Sequence, residues 1–405
     1  MSSFRGEFWP FRVWAKGSPR SGGFLFRTSP LMIRPAQLVA LVVASLSLAV
    51  HAQTPVGPPA KIPTVDEEIQ KAALEATLRM EFHGATPADL STWQKEFSAK
   101  LNTLIGPHIP PQHWHATLLS TKDLGDHVRE ELLLEADRTP TLPLYVLYPK
   151  NEHAAARYPI VLCLHGHGPF GNDAVAGVDD TPEKRAEIES LHYDYGRQLA
   201  RQGYLAIVPC FTPFGRRLGP VKKGATAGDP CATEFVRLMY LGKTLLGENL
   251  RDVQWALDYA VQRPDAIADR IGCVGLSYGG RMTMMVTALD PRVRVAVISG
   301  AMNVFQERIQ NSHYSCGAQV IPGLLEFGDT PEIGSLIAPR PAIWEAGLQD
   351  RLMAPGWLEK AQERLQRAYS AAGHPENFQV HRFNGDHQWN GETALPLLNK
   401  VLKGE

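Results

Sequence analysis

From residue 158 onward, short apolar runs alternate with amphipathic segments, and this alternation constrains the fold more than any other feature of the chain. The apolar runs include YPIVLCLHG, GYLAIVPC, RIGCVGLS, VRVAVISG, RPAIWEAG and FQVHRF. The amphipathic segments lie near 183–202, 243–262, 279–289, 355–372 and 391–403. Buried strands that alternate with helices are typical of a mostly parallel sheet covered by helices on both faces. We therefore predict an α/β fold.

The preceding part of the chain has a different pattern. A Pro-rich linker over residues 53–63 leads into residues 64–113, whose helical periodicity predicts a helical N-terminal extension, or cap. Three strand-like runs separated by turn signals follow within 114–149 and predict antiparallel strands at the start of the sheet. We take 114–405 as the main domain.

Two long stretches, near 211–242 and 301–338, interrupt the alternation within the main domain. Each follows an apolar strand, so both are expected to leave the sheet at its carboxyl edge. Ligand sites of α/β folds lie at this edge. We predict that these two insertions form walls of a pocket.

Residues 1–52 have the pattern of a leader with a secretory signal. Arg34 gives a basic start, an apolar run extends from Leu38 to Val50, and Ala52 ends a small-residue cleavage site. This run is shorter than the roughly 20 residues that a membrane-spanning helix needs. We expect cleavage near Ala52, a periplasmic or secreted protein and no membrane anchor, with Met32 as an alternative translation start.

Ser277 lies between two glycines in VGLSYGG, directly after an apolar run and before a helix-like segment. This strand–turn–helix context suits a nucleophile elbow, because the sharp turn leaves no room for side chains at positions 275 and 279. The alternative is a small residue in a tight turn. A nucleophilic serine also needs a histidine base, and that histidine needs a carboxylate to orient it.

Asp350 follows the apolar run PAIW, and His387 follows FQVHRF. Both should therefore lie at the carboxyl ends of strands, on the same edge as Ser277. Their order along the chain, Ser then acid then His, is that of α/β-hydrolases. We predict a triad of Ser277, Asp350 and His387.

Three other side chains compete for these roles. Glu345 could be the acid, but it precedes Gly347 and is expected to lie within the strand. Asp386 adjoins His387 and would point away from its imidazole. His381 alternates with apolar residues, which indicates a half-buried strand position.

The tetrahedral intermediate of acyl transfer needs two N–H donors for its oxyanion. We predict the backbone of Tyr278, which follows the nucleophile, and of His167, whose flanking glycines let the chain approach the substrate. Arg216 and Trp389 are predicted to bind substrate. Further candidates for sugar contact in the insertions are Phe211, Phe214, Arg217, Tyr240 and Tyr314.

Metal binding and nucleic-acid binding have little support. His113 and His115, like His165 and His167, have the His-x-His spacing of some zinc ligands, but no further ligand cluster is evident. We expect no metal and no cofactor. Lys plus Arg total 41 against 42 Asp plus Glu, so the basic surface that nucleic acids require is not indicated. Cys231 and Cys316 fall in loop-like sequence, and whether they pair stays open.

Several longer segments carry a resemblance to a known family. They are VLCLHGHGPFG, GYLAIVPCFTPFGRR, LLGENLRDVQWALDYAVQRPDAIADRIGCVGLSYGG, IPGLLEFGDTPEIGSLIAPRPAIWEAGLQD and GDHQWNGE. Together they resemble the bacterial α/β-hydrolase family that includes dienelactone-hydrolase-like and acetyl xylan esterase-like proteins. The resemblance runs from about residue 64 to the C-terminus and implies an α/β-hydrolase fold and carboxylic-ester hydrolysis, with Ser277, Asp350 and His387 as the triad.

The function predicted from these observations is an exported serine esterase that cleaves small acyl esters, such as acetyl esters, of carbohydrates or similar polar alcohols. A serine peptidase of the prolyl-oligopeptidase type has a similar elbow, but such enzymes usually carry a large β-propeller that this chain has no room for. A lactone hydrolase of the dienelactone type is another alternative. A non-catalytic binding protein is disfavoured because all three triad residue types are present.

Overall fold

Nine strands form one mixed sheet in the described part of the chain, which the computed structural model gives as residues 62–150, 156–219, 229–310, 316–353 and 356–405. The predicted leader and signal lie outside these residues. The strands are β1 (His115–Asp123), β2 (His127–Ala136), β3 (Thr139–Pro149), β4 (Tyr158–Leu164), β5 (Leu205–Pro209), β6 (Ala266–Leu276), β7 (Val295–Ser299), β8 (Ala342–Gly347) and β9 (Phe378–Phe383). Their order across the sheet is β1-β2-β3-β5-β4-β6-β7-β8-β9.

Strand direction divides this sheet into two parts. The pairs β1–β2, β2–β3 and β3–β5 are antiparallel. From β5 through β4 and β6 to β9, every pair is parallel. Parallel neighbours require crossover connections, and helices supply them. The arrangement confirms the predicted fold class, a mostly parallel sheet with antiparallel N-terminal strands.

The helices cover both faces of the sheet. They are α1 (Val65–Leu74), α2 (Pro87–Ile105), α3 (Asn172–Val175), α4 (Pro182–Leu191), α5 (Tyr195–Arg201), α6 (Pro230–Met239), α7 (Leu245–Val261), α8 (Tyr278–Leu289), α9 (Phe305–Ile309), α10 (Thr330–Ser335), α11 (Trp357–Ala371) and α12 (Ala394–Leu402). None of the helices in the described ranges is long and apolar enough to cross a membrane.

Side chains of β4 show how the sheet separates two hydrophobic cores. Ile160 and Leu162 belong to the core that α2, α7, α8 and α11 cover. Val161 and Cys163, which alternate with them, belong to the core that α3, α5 and α12 cover. Successive side chains of a strand point to opposite faces, so an uninterrupted apolar run is what a strand buried on both faces requires.

The amphipathic segment near 183–202, predicted as one helix, forms two. Helix α4 ends at His192, which has the left-handed backbone conformation (φ 51°), and α5 begins at Tyr195. The break lets Tyr193 and Tyr195 turn towards the end of β4, where their hydroxyl groups bond to the Gly166 N–H and the Leu164 carbonyl. Helical periodicity alone does not reveal such an interruption.

The two insertions begin where β5 and β7 end. The first contains α6, and the second contains α9 and α10. Strands β6, β8 and β9 end at this same carboxyl edge, because all of them run parallel to β5 and β7. The topology therefore brings both insertions to the edge that bears the predicted triad.

Candidate active site

Ser277 occupies a strained turn between β6 and α8. Its backbone has a positive φ, which is rare for a non-glycine residue, with φ 63° and ψ −121°. A Cβ atom at Gly279 would lie 1.8 Å from the Leu164 carbonyl oxygen, and one at Gly275 would lie 2.4 Å from the Gly279 carbonyl carbon. Both glycines are therefore required for the backbone to turn here. Strain of this kind, held by tight surroundings, is typical of a nucleophile elbow.

Asp350 and His387 are joined by a hydrogen bond. Asp350 Oδ2 lies 2.7 Å from His387 Nδ1, and the Asp350 side chain is 1% exposed. Its other oxygen accepts the Leu352 N–H at 2.8 Å, which fixes the carboxylate plane. His387 Nε2 is buried with no hydrogen-bond partner within the described part of the chain. The imidazole is thus oriented at Nδ1 and available at Nε2.

The neighbouring carboxylate, Glu345, is bonded elsewhere. One oxygen accepts the Ser299 hydroxyl, and the other accepts the Gly391 N–H at 3.0 Å. Burial raises the pKa of Glu345. This side chain therefore ties the end of β7 to the segment that follows His387. Glu345 and Asp350, which are five positions apart in the sequence, therefore have different hydrogen-bond partners.

The alternatives Asp386 and His381 do not take triad positions. Asp386 Oδ1 accepts the backbone N–H of His387 and not an N–H of the imidazole ring. His381 lies half-buried in β9, with Nε2 3.9 Å from Glu392. Ser277 and His387, by contrast, line the same cavity.

The turn after β4 lies against Ser277. A Cβ atom at Gly166 would lie 2.8 Å from the Leu276 carbonyl oxygen and 3.0 Å from Ser277 Cβ. Tyr278 is the first residue of α8, so its N–H has no acceptor within the helix. No backbone carbonyl of the described residues accepts the N–H of His167. Tyr278 therefore follows Ser277 directly, and His167 follows the glycine that touches it. The N–H groups of both have no backbone acceptor among the described residues.

A cavity of about 450 Å³ opens at this point. Ser277, His387, Gly300 and Ala301 form one side of it. A Cβ atom at Gly300 would lie 2.7 Å from His387 Cε1, so this glycine lets the imidazole lie flat against the chain. Six polar residues also line it: His167, Asp229, Arg281, Asn303, Arg308 and Gln319.

Arg281 is the most unusual side chain of the cavity. It follows Ser277 by one turn of α8 and is 2% exposed. One guanidinium nitrogen donates to Asn303 Oδ1, and the guanidinium carbon lies 4.9 Å from the centroid of the Phe305 ring. Nε and Nη1 are buried with no hydrogen-bond partner among the described residues. Burial, and then the charge of Arg308, lowers the pKa of Arg281 to about 9. A buried cation with two unused hydrogen-bond donors among the described residues therefore lines the same cavity as Ser277.

Comparison with known proteins agrees with this fold. A model of the Abhydrolase family matches residues 67–397. A Bacillus subtilis (strain 168) protein named as a hydrolase, YtaP, is 30% identical over 285 residues, which cover 68% of this chain and 87% of that protein. The chain belongs to the Abhydrolase family.

Solved structures of esterases share the architecture of this abhydrolase. A Bacteroides fragilis NCTC 9343 protein named as an acetyl xylan esterase superposes with a TM-score of 0.69 at 18% identity, covering 86% of this chain and 97% of that one. A glucuronoyl esterase from Solibacter usitatus gives a TM-score of 0.57 at 15% identity, covering 80% and 96%. The resemblance inferred from the sequence is thus confirmed for family and fold.

Two residues predicted to bind substrate lie away from the cavity. Arg216 forms an ion pair with Glu131 of β2 and stacks over Tyr145. Trp389 is 1% exposed and packs against Tyr195, with the ring centroids 5.1 Å apart. One side chain turns outward to a carboxylate and the other lies in the core, so the structure does not bring either of them to the cavity lining.

The remaining sugar-contact candidates of this abhydrolase are also mostly structural. Phe211 and Phe214 pack on Tyr278, which places them behind the cavity wall. Arg217 pairs with the buried Asp252. Tyr240 is 87% exposed. Tyr314 lies outside the described residues.

The two histidines of the His165-x-His167 pattern have different environments. His165 is buried, its Nδ1 bonds to the Gly166 carbonyl and its Nε2 accepts the Phe211 N–H, so both nitrogens are used within the protein. Burial lowers the pKa of His165 to about 3. His167 instead extends its Nε2 to 3.0 Å from Cys316 Sγ. Sequence reasoning missed this contact and missed Arg281, because neither carries a local motif.

Proposed function

We propose that this abhydrolase is a serine esterase that cleaves carboxylic esters through an acyl-enzyme intermediate. The observation that carries the proposal is the Asp350–His387 hydrogen bond of 2.7 Å at a cavity that Ser277 also lines. In this mechanism Ser277 Oγ attacks the ester carbonyl and His387 Nε2 accepts the hydroxyl proton. Asp350 holds the imidazole and stabilises the imidazolium that forms.

The alcohol then leaves with the proton that His387 holds, and water attacks the acyl-enzyme by the same route in reverse. The negative oxygen of each tetrahedral intermediate would accept the backbone N–H groups of His167 and Tyr278. Losing one such donor typically costs about 3 kcal/mol of transition-state stabilisation. The fixed turn after β4, held by Tyr193 and Tyr195, supports the required pre-organisation.

The proposed substrates are small acyl esters, such as acetyl esters, of a carbohydrate or similar polar alcohol. The polar residues that line the cavity support a polar alcohol, and a structural relative is named as an acetyl xylan esterase. The test is a series of 4-nitrophenyl esters and acetylated sugars with purified mature protein. We expect kcat/KM to fall steeply from acetyl to butyryl and longer acyl groups. A preference for octanoyl esters, lactones or peptide bonds would contradict this substrate class.

A second candidate substrate is an ester whose polar part carries a carboxylate. The buried guanidinium of Arg281 favours it, because an unpaired charge in a cavity is stabilised by an anion. A substrate carboxylate beside Nη1 would supply one of the two missing acceptors through a charge-assisted hydrogen bond. This group would lie one helical turn from Ser277, close enough to orient the ester for attack.

The anionic candidate is tested with two matched probes, acetylated methyl glucoside and acetylated methyl glucuronoside, which differ by one carboxylate. We expect wild type to prefer the glucuronoside and Arg281→Met to lose that preference by about 10- to 100-fold, because a charged hydrogen bond contributes roughly 1.5–3 kcal/mol. Arg281→Lys, which keeps the charge, should retain part of it. Equal losses on both probes would reject the carboxylate and leave neutral esters as the substrates.

We also propose that the esterase is exported. The basic start, apolar run and cleavage motif within residues 32–52 support this. Mature protein recovered from its native host should begin at or near Gln53. Recovery of uncleaved chain from the cytosolic fraction would contradict export without affecting the proposed chemistry.

A further inference from the structure

Three potential metal ligands from distant parts of the chain meet beside the cavity. They are His167 Nε2, Cys231 Sγ and Cys316 Sγ, and all three atoms lie within 4.8 Å of one another. The His167 Nε2–Cys316 Sγ distance is 3.0 Å. Both cysteines are free thiols. Each ligand comes from a different segment: the turn after β4, the start of α6 in the first insertion, and the second insertion.

The local backbone is built to hold this cluster. The α6 N-cap Asp229 accepts the Cys231 N–H at 2.9 Å, which fixes the first turn of the helix. A Cβ atom at Gly317 would lie 2.4 Å from the Cys231 carbonyl oxygen, so the chain beside Cys316 touches the α6 backbone directly. The His167 ring packs between Phe214 and Tyr278, with both centroid distances 5.3 Å. The three side chains are therefore oriented by their surroundings.

The set of donor atoms selects a chemical class of metal. Two thiolates and one imidazole suit zinc and similar borderline-soft ions, with Zn–S near 2.3 Å and Zn–N near 2.0–2.1 Å. Tetrahedral bonds of these lengths place ligand atoms roughly 3.5–3.8 Å apart, close to the spacing of this cluster. His167 and Cys316 also line the cavity, so a fourth position would face it.

We propose that His167, Cys231 and Cys316 bind one zinc-class metal ion at the rim of the cavity. Binding converts both thiols to thiolates and releases their two protons to solvent. The ion would join both insertions to the turn that carries His167. This inference differs from the expectation of no metal. That expectation was based on His-x-His spacing, which gives no information about ligands that lie far apart in the sequence.

A disulfide between Cys231 and Cys316 is the competing arrangement. It would leave the imidazole without a role, whereas His167 Nε2 directly contacts the Cys316 sulfur. The metal site accounts for all three side chains. Metal binding does not depend on the proposed ester hydrolysis, so its test uses no activity measurement.

The experiment titrates Co²⁺ into the reduced full chain after removal of metal with a chelator. We expect one equivalent to produce a thiolate-to-cobalt charge-transfer band and the visible bands of a tetrahedral site, both abolished by Zn²⁺. Cys231→Ser and Cys316→Ser should each remove the charge-transfer band or weaken affinity at least 100-fold, roughly the upper range for losing an outer-shell contact. The matched control Cys163→Ala removes a buried thiol of β4 and should leave the spectrum unchanged.

Thermal unfolding gives a second reading that does not need the variants. Zinc that binds the native state should raise the Tm of wild type, by mass action. Thiol counting after native isolation distinguishes the competing arrangement. The metal site predicts five reactive thiols in the unfolded protein, whereas a disulfide predicts 5 − 2 = 3. Absence of the charge-transfer band in protein with five reduced thiols, or a native count of three, would overturn the proposal.

Discussion

Two regions meet at the cavity and differ in how they are held. The catalytic edge consists of the strand-end turns that carry Ser277, Asp350 and His387. The insertion wall consists of the described parts of the two insertions, 211–219 with 229–242 and 301–310 with 316–338. The backbone of the catalytic edge is fixed by hydrogen bonds within the sheet, such as the Ser277 N–H to the Ser299 carbonyl at 2.9 Å.

The insertion wall contributes polar side chains from irregular segments and short helices instead. Arg308 and Gln319 reach the cavity from it, and so do Asp229 and Cys316. The difference separates two tasks: the sheet fixes the reacting groups, whereas irregular segments supply the groups that would recognise a substrate or an ion. Changes in the first region should therefore affect the chemical step for every ester, and changes in the second should depend on the ligand.

The largest effect is expected from Ser277→Ala and His387→Ala. Each should lower kcat by about 10⁴-fold or more for every ester tested, because triad members act as a unit. Hydrolysis of a 4-nitrophenyl ester measures it. His381→Gln is the matched control on the neighbouring strand and should keep most of the activity. Loss of activity in the control alone would move the base to His381.

The two carboxylates near the end of β8 give the next test. Asp350→Asn should lower kcat by about 10⁴-fold, because an amide at this position favours the wrong imidazole tautomer. Glu345→Gln should have a mild effect on kcat but lower the free energy of unfolding by about 1–3 kcal/mol, because a buried hydrogen-bond donor loses its acceptor. The measurements are kcat and the free energy of unfolding in urea, for both variants. The reverse ranking of kcat would make Glu345 the acid.

The same division explains how much of the molecule the sequence could predict. Strand ends follow from apolar runs, and parallel strands bring their ends to one edge, so Ser277, Asp350 and His387 could be placed together from the pattern alone. The positions of the Arg216 and Trp389 side chains away from the cavity could not be predicted, because side-chain direction within irregular segments depends on tertiary contacts. Arg216 forms an ion pair with Glu131, and Trp389 packs against Tyr195. The periodicity of a sequence does not predict tertiary contacts of this kind.

The groups that sequence reasoning missed share a similar cause. Arg281 lies within an ordinary helical segment, and its significance comes from two nitrogens that have no hydrogen-bond partner in the part of the chain that the structure describes. Helix spacing could have signalled that it shares a face with the turn at Ser277, since residues four apart are neighbours. The cluster of His167, Cys231 and Cys316 has no local signal, because each ligand lies in a separate segment.

A smaller effect, on stability, should come from Glu187 on α4. Its carboxylate packs against the turn after β4, since a Cβ atom at Gly168 would lie 2.3 Å from Glu187 Oε1. Burial, and then the charge of Asp173, raises the pKa of Glu187 to about 7. Because the folded state favours the protonated form, this group's contribution to stability is complete below its ordinary pKa and is lost as pH rises towards 7.

Measurement of Tm from pH 4.5 to pH 8 in wild type and Glu187→Gln tests this sign. We expect the wild type to lose stability relative to the variant across that window. Glu189→Gln, an exposed neighbour on the same helix, is the control and should follow the wild type. A difference between wild type and Glu187→Gln that stays constant with pH would show that the carboxyl group is not held in the neutral form.

The smallest effects are expected from Arg216→Ala and Tyr240→Ala, which probe the outer surface of the insertion wall. Arg216 is bonded to Glu131 on a partly exposed surface, and Tyr240 projects into solvent. Removing a surface ion pair typically changes stability by about 0–1 kcal/mol. We expect kcat/KM for acetylated sugars and for 4-nitrophenyl acetate to stay close to wild type in both variants. Arg281→Met, which changes the inside of the cavity, is the contrast in the same assay. A loss confined to the sugar esters in either surface variant would show that the substrate extends beyond the cavity onto the insertion wall, and recognition would then begin well outside the catalytic edge.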